Sequence, residues 1–145
     1  MNLLLDTCVL SEFTKRQPDV RVVNWLDRQF EEHLYISVIT IGELKHGVER
    51  LPPSDRRERI NRWLELDVLE RFYGRIALID ASVMLRWGSL HARLGAAGQP
   101  MNPFDALIAA TALANDLIVV TRNTSDFVNA GVQLINPWMY PLEAV

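Results

Sequence analysis

The sequence predicts an α/β fold: a mostly parallel central sheet covered by helices on both faces. Two observations predict it. Short apolar runs suited to buried strands alternate with longer segments whose apolar residues recur at helical spacing. The resulting order, βαα-βαα-βαα-β-β, separates most strands by helices, so crossovers must connect them and the strands lie parallel. The 145 residues, 49% of them apolar, suffice for one core, and a single domain over residues 1–145 is expected.

The elements follow in order. Asn2 to Leu5 is a short apolar run fit for a buried strand, and Thr7 to Lys15 follows as a helix. Pro18 and Asp19 punctuate. Val22, Val23, Leu26 and Phe30 then keep helical spacing within a helix from Val20 to Glu31. Leu34 to Ser37 is a second strand, and Ile39 to Leu51 a helix stopped by Pro52 and Pro53. Ser54 caps the next helix, which carries Ile60, Trp63, Leu64, Val68 and Phe72 on its apolar side. Ile76 to Ile79 is a third strand. Asp80 caps a helix running to about Leu94, ended by Gly95 and Gly98. Asn102 and Pro103 open an unusually apolar helix with Asp105 as its one charge before Ala114. Leu117 to Thr121 is a fourth strand and Gln133 to Asn136 a short last one. In such a sheet the strands' carboxyl ends share one rim, where ligands of these folds bind.

Composition bounds the function. Fifteen basic against eighteen acidic residues give a net charge of -3, which argues against nucleic-acid binding by bulk charge. Of the basic residues only Lys15 and Lys45 are lysines; the rest are arginines, suited to two-point phosphate or carboxylate contacts and to surface ion pairs alike. Cys8 is the one cysteine, so neither an internal disulfide nor a cysteine zinc site is available. The N-terminus lacks a signal-peptide pattern, and the apolar stretch Ala106 to Val120 is broken by Asn115 and Asp116. A soluble cytoplasmic protein is expected. There is no glycine-rich phosphate loop, no G-x-S-x-G elbow and no H-E-x-x-H motif; Glu43 and His46 form one E-x-x-H, where a di-iron bundle needs two, so His46 is expected at the surface.

What remains is a set of acids in apolar surroundings. Asp6 follows the first strand, Glu43 lies in the helix after the second, Asp105 in the first turn of the apolar helix, and Asn123 and Asp126 after the fourth strand. The parallel topology brings all of them to one rim, where carboxylates repel unless a cation neutralises them. Mg²⁺ prefers such oxygen ligands, and an open, partly hydrated cation suits phosphodiester hydrolysis. Each residue also has a structural alternative. Asp6 fits an N-cap through the amides near Val9, and Asp105 a capping interaction with its own helix. Glu43 fits a capping box closed by Thr40, unless Ser37 is the N-cap; Asn123 and Asp126 fit an ordinary turn.

The stretches Leu4-Leu5-Asp6-Thr7, Ser37 to Leu44, Asp105 to Ala110, Thr121-Arg122-Asn123, Asp126-Phe127 and Asn136-Pro137-Trp138 resemble the PIN-domain ribonucleases. The resemblance spans about residues 2–138. It is closest to the VapC-type toxins of bacterial toxin–antitoxin pairs, including the FitB-like branch. It implies a PIN-like three-layer α/β/α fold and a Mg²⁺- or Mn²⁺-dependent endoribonuclease. Asp6, Glu43 and Asp105 would hold the metal, and Asn123 and Thr121 would position water or phosphate. Asn123 stands where the family often has a fourth acid; it offers a carbonyl oxygen but no charge, leaving one metal or two undecided. Cys8 stands where Asn or Ser is usual and is a weaker donor.

The resemblance also implies a homodimer and inhibition by a cognate antitoxin encoded in the same operon. That antitoxin, rather than this chain, would bind operator DNA. Trp25, Trp63, Trp87 and Trp138 serve the core or a docking surface, and Arg56, Arg57, Arg59 and Arg62 form either a solvated helix face or a contact for RNA phosphates. A non-catalytic PIN-fold binding protein, acting through an antitoxin–DNA complex, is the alternative. A response-regulator receiver ranks lower, since an acidic pair after the first strand and a Lys after the last are lacking.

Overall fold

A computed structural model describes residues 1–141 of the chain. Five strands form one sheet in the order β3-β2-β1-β4-β5, and every pairing among them is parallel. The strands are β1 (Asn2–Leu5), β2 (Leu34–Ser37), β3 (Ile76–Ala77), β4 (Leu117–Val120) and β5 (Leu134–Ile135). The helices are α1 (Thr7–Glu12), α2 (Val20–Asp27), α3 (Val38–Glu49), α4 (Asp55–Arg62), α5 (Leu69–Arg71), α6 (Ala81–Ala96), α7 (Pro103–Asn115) and α8 (Thr124–Phe127).

Strand alternation divides the core into two layers. Leu3, Leu5, Leu34, Ile36 and Val120 face one side and pack with Val9, Val22, Trp25 and Val48 from α1 to α3. Leu4, Leu117 and Val119 face the other side, against Leu90 and Leu94 of α6 and Ile108, Ala109 and Ala112 of α7. This is the expected three-layer α/β/α arrangement. Successive strands march from β1 to β2 to β3, and the chain then crosses back to lay β4 on the other edge of β1. The crevice at the carboxyl ends of β1 and β4 is therefore the topological switch point, where ligands of open α/β sheets bind.

The helix caps explain the local folding. Ser37 accepts a hydrogen bond from the Ile39 amide, Ser54 from Arg57 and Asp80 from Val83. Ser37, rather than Thr40, is thus the N-cap of α3, which frees Glu43 from capping. Asn102 accepts from Phe104 and Asp105 and sets Pro103 at the first position of α7. Asp116 closes α7 in the left-handed region (φ 54°), which Asp tolerates, and turns the chain directly into β4.

Several elements differ from expectation. The α1 segment ends at Glu12, with Phe13, Thr14 and Lys15 donating to carbonyls three residues back, a tightened last turn. The α2 segment ends at Asp27, where Gln29 Nε2 occupies the Trp25 carbonyl; Glu31–His33 is a separate 3₁₀ turn. The helix begun by α4 passes through a π-helical stretch, Trp63–Val68, before α5. The segment read as a turn after β4 contains α8.

Candidate active site

Asp6 lies at the switch point, buried at 6% exposure. Its amide donates to the Val120 carbonyl, extending the β1–β4 ladder by one bond (2.9 Å). Both carboxylate oxygens are held. Oδ1 accepts from the Thr7 amide at 2.8 Å, and Oδ2 from the Thr121 hydroxyl at 2.8 Å, with Cys8 Sγ at 3.9 Å. Asp6 does cap α1, but through Thr7 rather than through a side-chain bond near Val9; the Val9 amide bonds its backbone carbonyl instead. Oδ1 keeps a lone pair beyond its one bond, while Oδ2 is shared between Thr121 and the long, weak thiol contact.

A second layer fixes the fixers. Thr121, fully buried, accepts from the Asn123 amide at 3.1 Å and lies 3.6 Å from Cys8 Sγ. The thiol in turn accepts from the Arg122 amide at 3.5 Å. On the other side, Thr7 Oγ1 reaches Glu43 Oε1 at 2.7 Å and Thr40 Oγ1 at 3.1 Å. Thr7 has a single hydroxyl proton. Thr7 is the donor in both contacts, so that proton is directed mainly to Glu43, the shorter and charge-assisted bond, with the buried Thr40 as the alternative acceptor. Thr40 escaped the sequence reading because its role depends on α1 and α3 meeting.

The electrostatics report gathered negative charge. Burial lifts the Asp6 carboxyl above its usual range, against the pull of the Thr121 and Thr7 bonds, and the charge of Asp126 adds to the rise. Asp105 is pushed up to about 6, first by burial and then by the charges of Asp6, Asp126 and Glu43. A carboxylate in the first turn of a helix ordinarily has the dipole on its side. Burial and the neighbouring acids together outweigh it in the metal-free chain. Burial also pushes the Cys8 thiol up, so it is a poor nucleophile.

Asp6, Glu43, Asp105 and Asp126 therefore share one electrostatic environment, as the sequence predicted for the rim. Asn123 follows them, and its side chain makes no capping bond to α8. His46 is at the surface, as expected, and shares with Glu43, Thr7 and Phe104 a groove of about 680 Å³. Phe104, 55% exposed beside Asp105, was not singled out by sequence; only the approach of α7 to α3 reveals it. Among the described residues, no three His, Cys, Asp or Glu form a ready-made metal cage. The acids gather without closing, as uncompensated like charges must. An all-oxygen, negatively charged, open donor set fits a hard divalent cation that keeps several waters.

Of the four tryptophans, Trp25 and Trp138 are core residues, while Trp63 and Trp87 are half-buried. Arg122 stacks over Trp138, 5.6 Å from the ring centre, tying the loop after β4 to the 3₁₀ turn Pro137–Met139. No helix among the described residues is long and apolar enough to cross a membrane.

Comparison with known proteins agrees with this architecture. The PIN domain model matches residues 3–132. The chain is 40% identical over 136 residues to the VapC ribonuclease Y4jK of Sinorhizobium fredii, covering 94% of this chain and 97% of that protein. It is 38% identical to toxin FitB of Neisseria gonorrhoeae, covering 94% of this chain and 98% of the toxin. The solved structure of FitAB bound to an IR36 DNA fragment superposes with a TM-score of 0.89 at 36% identity, covering 98% of each chain.

Proposed function

The chain belongs to the PIN-domain family, and from that premise we propose that it is the endoribonuclease toxin of a toxin–antitoxin pair, dependent on Mg²⁺ or Mn²⁺. The observation that carries this reading is the gathering of acids at one rim: the Asp105 carboxyl is held at about 6, first by burial and then by the charges of Asp6, Asp126 and Glu43. Such stored repulsion is what a divalent cation relieves. The names of the relatives, a VapC ribonuclease and toxin FitB, support the same activity.

Asp6, Glu43 and Asp105 are the residues that would hold the metal. When bound, the metal supplies Lewis acidity toward a phosphoryl oxygen and lowers the pKa of water. The chain's own residues do the rest. Thr121 fixes one oxygen of Asp6 and the Thr7 amide fixes the other, so the carboxylate cannot turn away from the crevice. Thr7, itself steadied by Thr40, sets the rotamer of Glu43. Asn123 offers an uncharged amide at the mouth, suited to orienting water or a phosphate oxygen. Asp6 is buried, Asp105 half-buried and Glu43 exposed, so the acids form a graded rim open to solvent on the Glu43 side, where an RNA phosphate can approach.

The antitoxin is the proposed partner, and operator DNA is reached only through it; the FitAB complex on DNA supports that arrangement. The toxin acts in the cytoplasm as a homodimer, for which the exposed Leu78, Met84 and Leu85 offer an apolar face. The test is RNA cleavage by the antitoxin-free chain. With Mg²⁺ or Mn²⁺ it cleaves RNA, and Asp6→Asn reduces cleavage by more than about 100-fold. Equal activity of wild type and Asp6→Asn, or none from either, overturns the reading and leaves the non-catalytic binding protein in its place.

A further inference from the structure

The arginine cluster of α4 is divided by the fold. Arg57 turns back onto α3, where it pairs with Glu49 at 2.8 Å and donates to the Leu51 carbonyl at 3.3 Å. Arg56 and Arg59 take no part in that pairing. They line a cavity of about 380 Å³ together with Arg16, Phe13 and Trp63. Among the described residues no ion pair engages Arg16, Arg56 or Arg59. Phe13 is 37% exposed and Trp63 half-buried, so both present ring surface to this cavity.

The cavity is joined to the acidic site. A smaller cavity of about 190 Å³ between α1 and α3 is lined by Glu43 at one end and by Thr14, Arg56 and Ile60 at the other. The same Thr14, Arg56 and Ile60 line the basic cavity. One groove thus runs from Glu43, past Arg56, to Arg59, Arg16 and the two rings. Its character changes along the way from acidic to basic and aromatic.

The geometry points to this groove as the track for single-stranded RNA leaving the acidic site, with Arg56, Arg59 and Arg16 on the phosphates and Phe13 stacked against a base. The inference rests on the ribonuclease reading and names the path of its substrate. Two features of the groove favour RNA. Unpaired guanidiniums beside exposed rings match the phosphate–base repeat of a single strand, which binds by charge and stacking without needing sequence readout. The groove also starts at the cleavage site, where any strand long enough to be cut must continue over neighbouring surface. It resolves how a chain with a net charge of -3 holds a polyanion: Lys15, Arg16, Arg56 and Arg59 line one channel and make it locally basic.

The test is a fluorescence-anisotropy titration of a labelled single-stranded RNA of about twelve nucleotides, long enough to span several backbone contacts. It is done on the antitoxin-free chain at low salt with a chelator, so that no cleavage occurs. Arg56→Gln/Arg59→Gln is expected to bind at least five-fold more weakly. Its salt dependence is expected to be shallower by about 1.4, two phosphates at roughly 0.7 each. Phe13→Ala is expected to lower affinity several-fold with the salt slope unchanged, since stacking releases no counterions. Arg86→Gln/Arg93→Gln, on exposed positions of α6, makes the same charge change elsewhere and is expected to bind as the wild type does. Circular dichroism checks that each variant is folded.

Equal weakening by the α6 pair reduces the effect to bulk charge and overturns the proposal. So does an unchanged Arg56→Gln/Arg59→Gln, or a wild type that binds no RNA. If the double variant keeps its RNA affinity but loses that for the antitoxin, the groove is a protein-docking face and the RNA track is wrong. Because binding is read without cleavage, the ribonuclease reading can fail while this pattern holds, and the pattern can fail while the chain still cuts RNA.

Discussion

The Thr121 hydroxyl donates to Asp6 Oδ2 across 2.8 Å, joining residues 115 positions apart at the ends of β4 and β1. The bond spans the switch point of the sheet, so strand pairing and active-site geometry are set by one contact. Thr121 is a positioning residue for Asp6. Thr121→Val, nearly the same shape without the hydroxyl, is expected to weaken Mg²⁺ affinity by about 10-fold or more. Thr121→Ser is expected to restore it. Metal titration by calorimetry checks the pair; equal affinity of Val and wild type would remove Thr121 from the site.

The raised Asp105 carboxyl makes the metal-free chain pH-sensitive. Between about pH 4, its ordinary value, and about 6, the folded chain holds more of a proton on Asp105 than the unfolded chain does. Raising pH across that window therefore destabilises the metal-free protein. Asp105 is partly exposed, so screening limits the effect to on the order of 1 kcal/mol. Thermal melts in chelator are expected to show a falling Tm from pH 4 to 6 in this contribution. Asp105→Asn is expected to flatten it and to raise Tm at neutral pH.

Asn123→Asp restores a charge to the rim. With Asp6, Asp105 and Asp126 already felt there, the added carboxylate is expected to lower Tm in chelator and to tighten Mg²⁺ or Mn²⁺ binding, through added repulsion without metal and added attraction with it. Melting curves with and without metal read both. A variant that lowers Tm equally in both conditions would show that Asn123 does not face the cation.

Cys8→Ser exchanges a weak donor for a strong one beside Asp6 Oδ2 and Thr121. The thiol lies 3.9 Å from the carboxylate, and a hydroxyl must come closer to bond it. The expected result is a lowered Asp6 pKa and a cleavage profile that extends to more acidic pH. An unchanged acidic limb would show that Asp6 is not the group titrating there.

Much of this was legible in the sequence, for reasons particular residues make clear. Asn102-Pro103 and Asp80 announce helix starts chemically, and Leu3-Leu4-Leu5 before Asp6 announces a buried strand ending at a rim. The sharing of that rim by Asp6, Glu43, Asp105 and Asp126 follows from parallel strands alone. What was illegible depended on distant packing. The Thr7–Thr40 contact joins residues 33 apart, and Phe104 meets Glu43 only because α7 crosses α3. The π-helical stretch Trp63–Val68 was hidden because Leu64, Val68 and Phe72 keep a spacing of four, as an uninterrupted α-helix would. The different engagements of Arg56 and Arg57 were hidden too, since Glu49 is reached only across the turn at Pro52.

The position of β1 in the middle of the sheet has a consequence for synthesis. One edge of β1 is covered as soon as β2 is made, but the other waits for β4, which begins at Leu117. Until then an emerging chain carries an unpaired strand edge and an Asp6 without its Thr121 clamp. The site is therefore assembled only after Thr121, about four-fifths of the way along the polypeptide, has been made. A prematurely ended chain is expected to be both harmless and aggregation-prone.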